Sequence, residues 1–300
     1  MAVVQGNSAL ASEYNTLRNG VTKWFADGNV SGIVFGDANQ TWGWGGGGSG
    51  FVSQGNPMLA SQMNSLVDRC NIGENICTNV IGTLPQVVAT AGITAAEFNN
   101  IETKSNLINT NRLNIDPAET SLATPGSSVR TTSYSTSIDC TFTYTFTSFD
   151  KARYFFNSGG TLGISGTITG YSSGTGFDGA GIYEILSTMG NIEMGYTATT
   201  QSGTGGIIYG LGYYDLATTY VRLFLQGGTG AYSNATVGVD GRYSSSGSVV
   251  EIRVMVAPEP GRIVDGTTTI YAKQRKLNNQ ASGAASLTVT APAYTLTEPL

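Results

Sequence analysis

Ser172 lies in Gly170-Tyr171-Ser172-Ser173-Gly174, the Gly-x-Ser-x-Gly spacing that can lift a nucleophilic hydroxyl onto a tight turn. Such a serine needs a histidine to take its proton, and the chain of 300 residues has none. The same lack removes the usual general base near neutral pH, Cys-His pairs, and most zinc and non-haem iron sites. Just beyond, Gly174, Gly176 and Gly179 in "GTGFDG" fit the spacing of a dinucleotide-binding turn, with Glu193 placed where a ribose ligand would come. That fingerprint works only in a parallel strand-helix-strand unit. The surrounding runs read as antiparallel, so a turn between strands is expected. Glycoside hydrolysis needs only two carboxylates, which makes Asp178, Glu184 and Glu193 the residues to weigh for it, on sequence proximity alone. Three cysteines, Cys70, Cys77 and Cys140, are an odd count without metal-like spacing. No alternating Asp and Asn run marks a calcium loop. No catalytic residue, cofactor or metal ligand is therefore assigned, and the chain is expected not to be an enzyme.

The composition points toward lasting contact. Charged residues make up 12% and glycine 41 of 300, against averages of about 25% and about 7%. Outer faces must then be Thr, Ser, Asn and Gly, which cost little to desolvate against another subunit. A net charge of -5 with 15 scattered basic residues gives no footprint for nucleic acid, and "KQRK" at Lys273–Lys276 reads as a solvated strand end. No apolar run approaches the ~20 residues that span a bilayer, so no membrane insertion is expected. The first residues lack the basic start and apolar centre of a secretory signal, so synthesis and assembly in a cytoplasm are expected.

The first third is built on a repeat. "GNSALASEYNTL" (Gly6–Leu17) returns as "GNPMLASQMNSL" (Gly55–Leu66) with seven of twelve positions identical, and more weakly as "GITAAEFNNI" (Gly92–Ile101). Leu10, Tyr14, Leu17 and Val21 match Leu59, Met63, Leu66 and Cys70 at the i, i+4, i+7, i+11 spacing of one helical face, and Phe98 and Ile101 keep the pattern. Asn56-Pro57 reads as an N-cap followed by proline, and Thr94 with Glu97 as a capping box. Three short amphipathic helices joined by long glycine-rich loops are expected, with Cys70 a small core residue. Each copy carries an asparagine beside the buried stripe, Asn15, Asn64 and Asn99. Asparagine is poor in mid-helix, so its return predicts a hydrogen bond to something alongside, such as a neighbouring backbone.

Between the first two copies lies "TWGWGGGG" (Thr41–Gly48). No Lys-Ser/Thr follows the glycines, so it is not a phosphate loop. Tryptophans alternating with glycine can lay flat rings on a surface while the backbone runs close beneath. Trp42 and Trp44 are expected to form a docking loop, covering the protein's own helices or filling a neighbour's pocket.

"NIDPAETSLATPGSSVR" (Asn114–Arg130) reads as a linker, and beyond it the period changes to two. Tyr134, Ile138, Cys140, Phe142, Tyr144 and Phe146 point one way. Alternation continues at Leu162, Ile164 and Ile168, at Val221, Leu223 and Leu225, at Val250, Ile252, Val254 and Val256, and at Leu287 and Val289. The predicted organisation is an α+β, mainly β chain. Residues 1–115 form a helical-repeat docking region, 116–130 a linker, and 131–300 an antiparallel, jelly-roll-like β-sandwich. Tyr171, Tyr213, Tyr214 and Tyr232 are candidate surface aromatics that could stack on sugars.

The segments "FDKARYFFNSGGTL" (Phe149–Leu162), "LSTMGNIEMGYTATTQSGTG" (Leu186–Gly205), "AKQRKLNNQASG" (Ala272–Gly283) and "LTVTAPAY" (Leu287–Tyr294) resemble tail-fibre-like virion structural proteins of tailed phages, those of cyanophages and related myophages. The N-terminal repeat resembles the same family. The resemblance implies virion membership, with copies of the chain and other virion proteins as partners, and a place at tail, neck or baseplate. In that setting Asn15, Asn64, Asn99, Trp42 and Trp44 are candidate assembly contacts. The alternative is a receptor- or glycan-binding module that meets a host surface glycan.

Overall fold

A computed structural model describes residues 11–25, 43–46, 50–80, 82–88, 93–244 and 246–300. Its helices are α1 (Ala11–Phe25), α2 (Ala60–Ile76), α3 (Ala95–Asn111), α4 (Phe149–Asn157) and α5 (Gly179–Met189). The strands are β1 (Thr120–Arg130), β2 (Ile138–Thr145), β3 (Thr161–Thr169), β4 (Ile192–Met194), β5 (Thr199–Gln201), β6 (Ile207–Ile208) and β7 (Val221–Gly227). They continue as β8 (Thr236–Tyr243), β9 (Val249–Ala257), β10 (Thr267–Leu277), β11 (Gln280–Ser282), β12 (Ala285–Leu287) and β13 (Ala293–Glu298). The chain divides into two compact units. The first holds Met1–Ser121, Arg153–Gly159 and Leu277–Thr290, and the second Leu122–Ala152, Gly160–Lys276 and Ala291–Leu300.

In the first unit the described parts of the three sequence-similar segments run into α1, α2 and α3, which pack on one another. The predicted stripe is buried at Tyr14, Leu17 and Val21, at Met63, Leu66 and Cys70, and at Phe98 and Ile101. Leu10 lies outside the described residues. Leu59 departs from the pattern and is exposed, because α2 starts at Ala60 rather than after Asn56. Gly55 takes a φ of 87° and the Asn56 N–H donates to Ser53 O, closing a turn where a cap was expected. The cap passes to Gln62, whose Oε1 reaches back to the Leu59 N–H at 2.8 Å. The Thr94–Glu97 capping box forms as read, each side chain accepting from the other's backbone N–H.

The β11–β12 hairpin packs on α2 with Ala285 and Leu287 buried. Residues 277–290, read from their alternation as sandwich, thus belong to the helical unit. The period-two pattern identifies a half-buried strand but not the surface that buries it.

The second unit carries two large sheets, ordered β1-β10-β3-β4-β5 and β13-β2-β9-β8-β7-β6. The pairs β10–β3, β3–β4 and β4–β5 are antiparallel, as are those running from β13 through β2, β9, β8 and β7 to β6. Cys140, Phe142, Tyr144, Val250, Ile252, Val254 and Val256 are buried on one sheet, and Leu162, Ile164 and Ile270 on the other. The buried Tyr144 hydroxyl donates to Lys273 O at 3.2 Å and ties the two sheets face to face. The architecture is α+β with a sandwich-like pair of sheets.

Three sequence expectations change here. Residues 120–130 of the expected linker are strand β1. Pro125 is tolerated because β1 is an edge strand, and its largely exposed Ser/Thr side chains are what made it read as linker. In β7 a register shift between Arg222 and Phe224 turns the later residues over, so Leu223, Phe224 and Gln226 are buried in place of Val221 and Leu225. "GTGFDG" leads into helix α5 rather than a plain turn. The strand after that helix, β4, is antiparallel to β3, so no dinucleotide-binding unit results.

Candidate functional site

The polar side chains of the first unit are spent on holding backbone. The Asn64 amide grips Val87 on both sides, Nδ2 donating to Val87 O at 3.1 Å and Oδ1 accepting from Val87 N at 2.6 Å. Two turns further along α2, Asn71 grips Leu84 in the same way, at 3.0 and 2.8 Å. Gln86 Nε2 donates to Asp68 Oδ1 at 2.7 Å, and the Thr83 hydroxyl to Glu74 at 2.9 Å. Residues 83–87 thus form an extended strap laid antiparallel along α2. Asp68 joins the strap to the hairpin, since its second oxygen accepts from the Ala284 N–H at 2.8 Å. On α1, Asn15 grips Val52 through the same pair of bonds, at 2.9 and 3.0 Å. The neighbouring backbone expected for these asparagines is present at Asn15 and Asn64. Asn99 on α3 is also engaged. Of the three asparagines that were candidates for contact with another subunit, Asn15 and Asn64 are therefore turned inward.

Trp44 is turned inward as well, and Trp42 lies outside the described residues. The Trp44 ring is buried edge-on against Trp24, with centroids 5.3 Å apart. The Trp44 backbone N–H donates to Trp24 O at 3.2 Å and the Gly46 backbone N–H to Phe25 O at 2.7 Å, satisfying carbonyls that the end of α1 leaves open. Glycine is needed for this approach: a Cβ on Gly45 would lie 2.6 Å from the Tyr154 ring, and one on Gly46 would overlap the Phe25 ring. The described part of the Trp-Gly segment is a cap on the protein's own helix.

Of the candidate surface aromatics, Tyr213 is buried, its hydroxyl donating to Gly247 O at 3.0 Å, so it cannot stack on a ligand. Tyr214 packs edge-on against Tyr196 and Tyr213. Tyr171 pairs with the exposed Tyr183 at 5.4 Å, and the Arg262 guanidinium lies 4.9 Å over the Tyr232 ring. Tyr171, Tyr183 and Tyr232 remain partly open and form the second candidate surface.

The three carboxylates weighed for hydrolysis have separate duties. Glu184 accepts from the Thr229 hydroxyl at 2.7 Å. Asp178 precedes α5, fully buried, and one oxygen accepts from the Glu259 N–H at 2.6 Å. Burial raises its pKa, only partly opposed by that hydrogen bond and by Arg262. Glu193, 8% exposed, accepts from Arg275 Nε at 2.9 Å and the Thr161 hydroxyl at 2.6 Å. Burial alone would raise its pKa, but Arg275 and Thr161 more than reverse this, and the net position is below the usual 4.5. A depressed folded-state pKa adds stability above the unfolded-state value, which is lost as pH falls through the folded one. Wild type is therefore expected to exceed Glu193→Gln in urea midpoint near neutrality, and the gap should close as pH drops below 4.5. A gap that is constant with pH would remove the ion pair as its cause.

Cys70, Cys77 and Cys140 are free thiols, all buried, and burial pushes each up to about 12. A thiol so placed is inert, because the thiolate is the reactive form. Iodoacetamide at about pH 8 is expected to leave the folded protein unmodified and to add one label to each of the three cysteines after denaturation, read by mass spectrometry.

Sequence reasoning missed a row of charges across the six-stranded sheet. Arg222, Asp240, Arg253, Thr141 and Glu298 are successive register partners on five strands. Asp240 pairs with Arg222 and, at 2.7 Å, with Arg253, and Thr141 donates to Glu298 at 3.0 Å. Tyr220 lies under Arg253 and Arg242, 4.2 and 4.4 Å from its ring centre, and donates to Glu251 at 2.7 Å. Each of these strands except β2, which contributes Thr141, places a charged residue in the row, a signal legible only once the register is known. Among the described residues no group of three or more potential metal ligands gathers, and no helix is long and apolar enough to cross a membrane. Comparison of the chain with protein-family models, curated proteins and solved structures finds no match.

Proposed function

We propose that this chain is a non-enzymatic structural protein of a tailed-phage virion, at tail, neck or baseplate, acting by assembly with copies of itself and other virion proteins in the host cytoplasm. The observation that carries this is the gripped strap. Asn64 fixes Val87 of the strap and Asn15 fixes Val52 of a separate segment, so that these two, 5% and 4% exposed, face in, while Val88 and Phe51, 60% and 53% exposed, face out, the Phe51 ring under the Arg18 guanidinium at 3.8 Å. Apolar groups held outward on a braced backbone suit docking, because little conformational freedom is left to lose on contact. The likeness of Phe149–Leu162, Leu186–Gly205 and Ala272–Gly283 to virion structural proteins supplies the setting. The finer fold reading belongs to the same proposal: three copies of one helical unit, and a jelly-roll-like sandwich.

Gold-labelled antibody on purified particles and sedimentation of the isolated protein test this reading. Label at a fixed place on the particle is expected, together with a species larger than the monomer that Phe51→Ser with Val88→Ser reduces. A protein that is strictly monomeric and missing from particles would sink it.

The partly open Tyr171–Tyr183 pair and Tyr232 favour a second reading, adhesion to a host surface glycan. Specific retention of the full chain on a glycan array, lost in Tyr171→Ala with Tyr183→Ala, would select it over the first.

A further inference from the structure

One corner of the sheet unit hangs on Asp178. Its N–H donates to Ile263 O at 2.9 Å, and its C=O accepts the first hydrogen bond of α5, from the Ile182 N–H at 3.1 Å. Its Oδ2 accepts from the Glu259 N–H at 2.6 Å. Both ends of the 259–263 turn are thus fastened to a single residue. That turn places the Arg262 guanidinium over the Tyr232 ring, and through Glu259 it grips Asn234, whose N–H and Nδ2 donate at 2.8 and 2.6 Å.

The Asp178 side chain is badly placed to carry a charge. It is fully buried, it caps no N–H of α5, and its Oδ1 makes no hydrogen bond among the described residues. A Cβ on Gly181 would stand 2.5 Å from Oδ1 and 2.7 Å from the Tyr232 side chain, so the orphaned oxygen is closed in by the first turn of α5 and that ring. A buried carboxylate oxygen without a donor costs more than the same oxygen carrying a proton. The charged and titratable groups facing it are Glu259 and Arg262 on the turn, Tyr232, and Tyr134 ahead of β2. Burial is the largest influence on Asp178 and raises its pKa, the Glu259 N–H and Arg262 oppose it, and the Glu259 carboxylate adds to it. Tyr134, pushed up by burial to about 12, stays neutral, and Asn234 holds Glu259 below the usual 4.5.

We propose that Asp178 is a proton-operated latch: neutral, it holds the 259–263 turn onto the start of α5, and ionised, it loosens that hold. The sign is the reverse of that at Glu193. A carboxyl whose pKa is raised on folding adds stability that is complete below the unfolded value, usually 3.8, and lost as pH rises through the folded one. The latch lies wholly within the sheet unit and rests on neither functional reading; under the adhesion reading it governs how firmly Tyr232 and Arg262 are held.

Amide hydrogen exchange on the full chain tests it, read by mass spectrometry on peptides covering 177–182 and 259–263 and corrected for intrinsic rates. Protection there is expected to fall about threefold or more between about pH 4.5 and about pH 7.5, a fall that Val250–Val256 of β9 does not share. Asp178→Asn keeps an oxygen for the Glu259 N–H and cannot ionise, so it should abolish the dependence and hold the acid-side protection at both pH values. Glu259→Gln keeps the N–H but not the carboxylate, and should retain the dependence. Protection that is flat with pH in wild type, that still falls in Asp178→Asn, or that becomes flat in Glu259→Gln overturns the latch. Should Asp178→Asn fail to fold, wild type and Glu259→Gln decide between them, because a fall in both leaves Asp178 as the titrating carboxyl and a fall in neither, or in wild type alone, excludes it.

Discussion

Gly163→Ala is expected to destabilise the sheet unit more than any other single methyl discussed here. Gly163 sits in β3 opposite Glu193 of β4 and Lys273 of β10. A Cβ there would overlap the Ile192 carbonyl oxygen and stand 2.9 Å from the Glu193 Cα, both backbone atoms that no rotamer change can move. The β3–β4 pairing must open, and with it the geometry that brings Glu193 to Thr161 and Arg275. Overpacking against fixed backbone costs about 3 kcal/mol or more, roughly 6–12 °C in melting temperature for a unit of this size. Gly166→Ala in the same strand is the internal control. Its Cβ would meet methyl ends, Leu186 Cδ2 at 2.7 Å and Ile270 Cδ1 at 2.9 Å, which can turn aside for about 1 kcal/mol. Equal melting temperatures for the two variants would show that β3 and β4 do not pair as described.

What could be read beforehand was what local chemistry decides. The stripe Tyr14, Leu17, Val21 and the alternation Val250, Ile252, Val254, Val256 are statements about one face of one element, and tertiary packing did not need to change them. The Thr94–Glu97 box and the bonds of Asn15 and Asn64 were legible for a related reason, since each residue type has few uses at its position. What failed depended on distant partners. Helix α5 opens with Gly179 and Gly181, both unfavourable in helix, and exists because Ile182, Ile185, Leu186 and Met189 are buried as it packs on β3. Gly181 is required by the fold, for a Cβ there would stand 2.7 Å from the Tyr232 side chain. The strap could not be read at all: residues 83–87 carry no pattern of their own, and their conformation is set by asparagines on another element. The candidate site was accordingly half visible, with the gripping residues in the sequence and the gripped ones not.

Removing those grips should have the largest effect in the helical unit. Asn64→Ala is expected to cost about 2–3 kcal/mol, because it deletes two hydrogen bonds and leaves the N–H and C=O of nearly buried Val87 without protein partners. Asn71→Ala should cost about 2 kcal/mol, the gripped Leu84 being less buried than Val87. Asn64→Asp separates hydrogen bonding from volume. Its carboxylate can still accept from Val87 N–H but presents a second oxygen to Val87 O, so it should be at least as damaging as alanine above the carboxylate pKa and recover as pH falls. Amide hydrogen exchange reads the effect at the site itself. A loss of about 2 kcal/mol corresponds to exchange roughly thirtyfold faster at Val87 in Asn64→Ala and at Leu84 in Asn71→Ala. If the strap is held by these amides, protection falls at the gripped residue first and the helix core at Met63 and Leu66 stays protected longer. Unchanged exchange at Val87 would mean that the strap is held by its apolar side chain instead, and Val88 would then have no braced backbone from which to present itself to a partner.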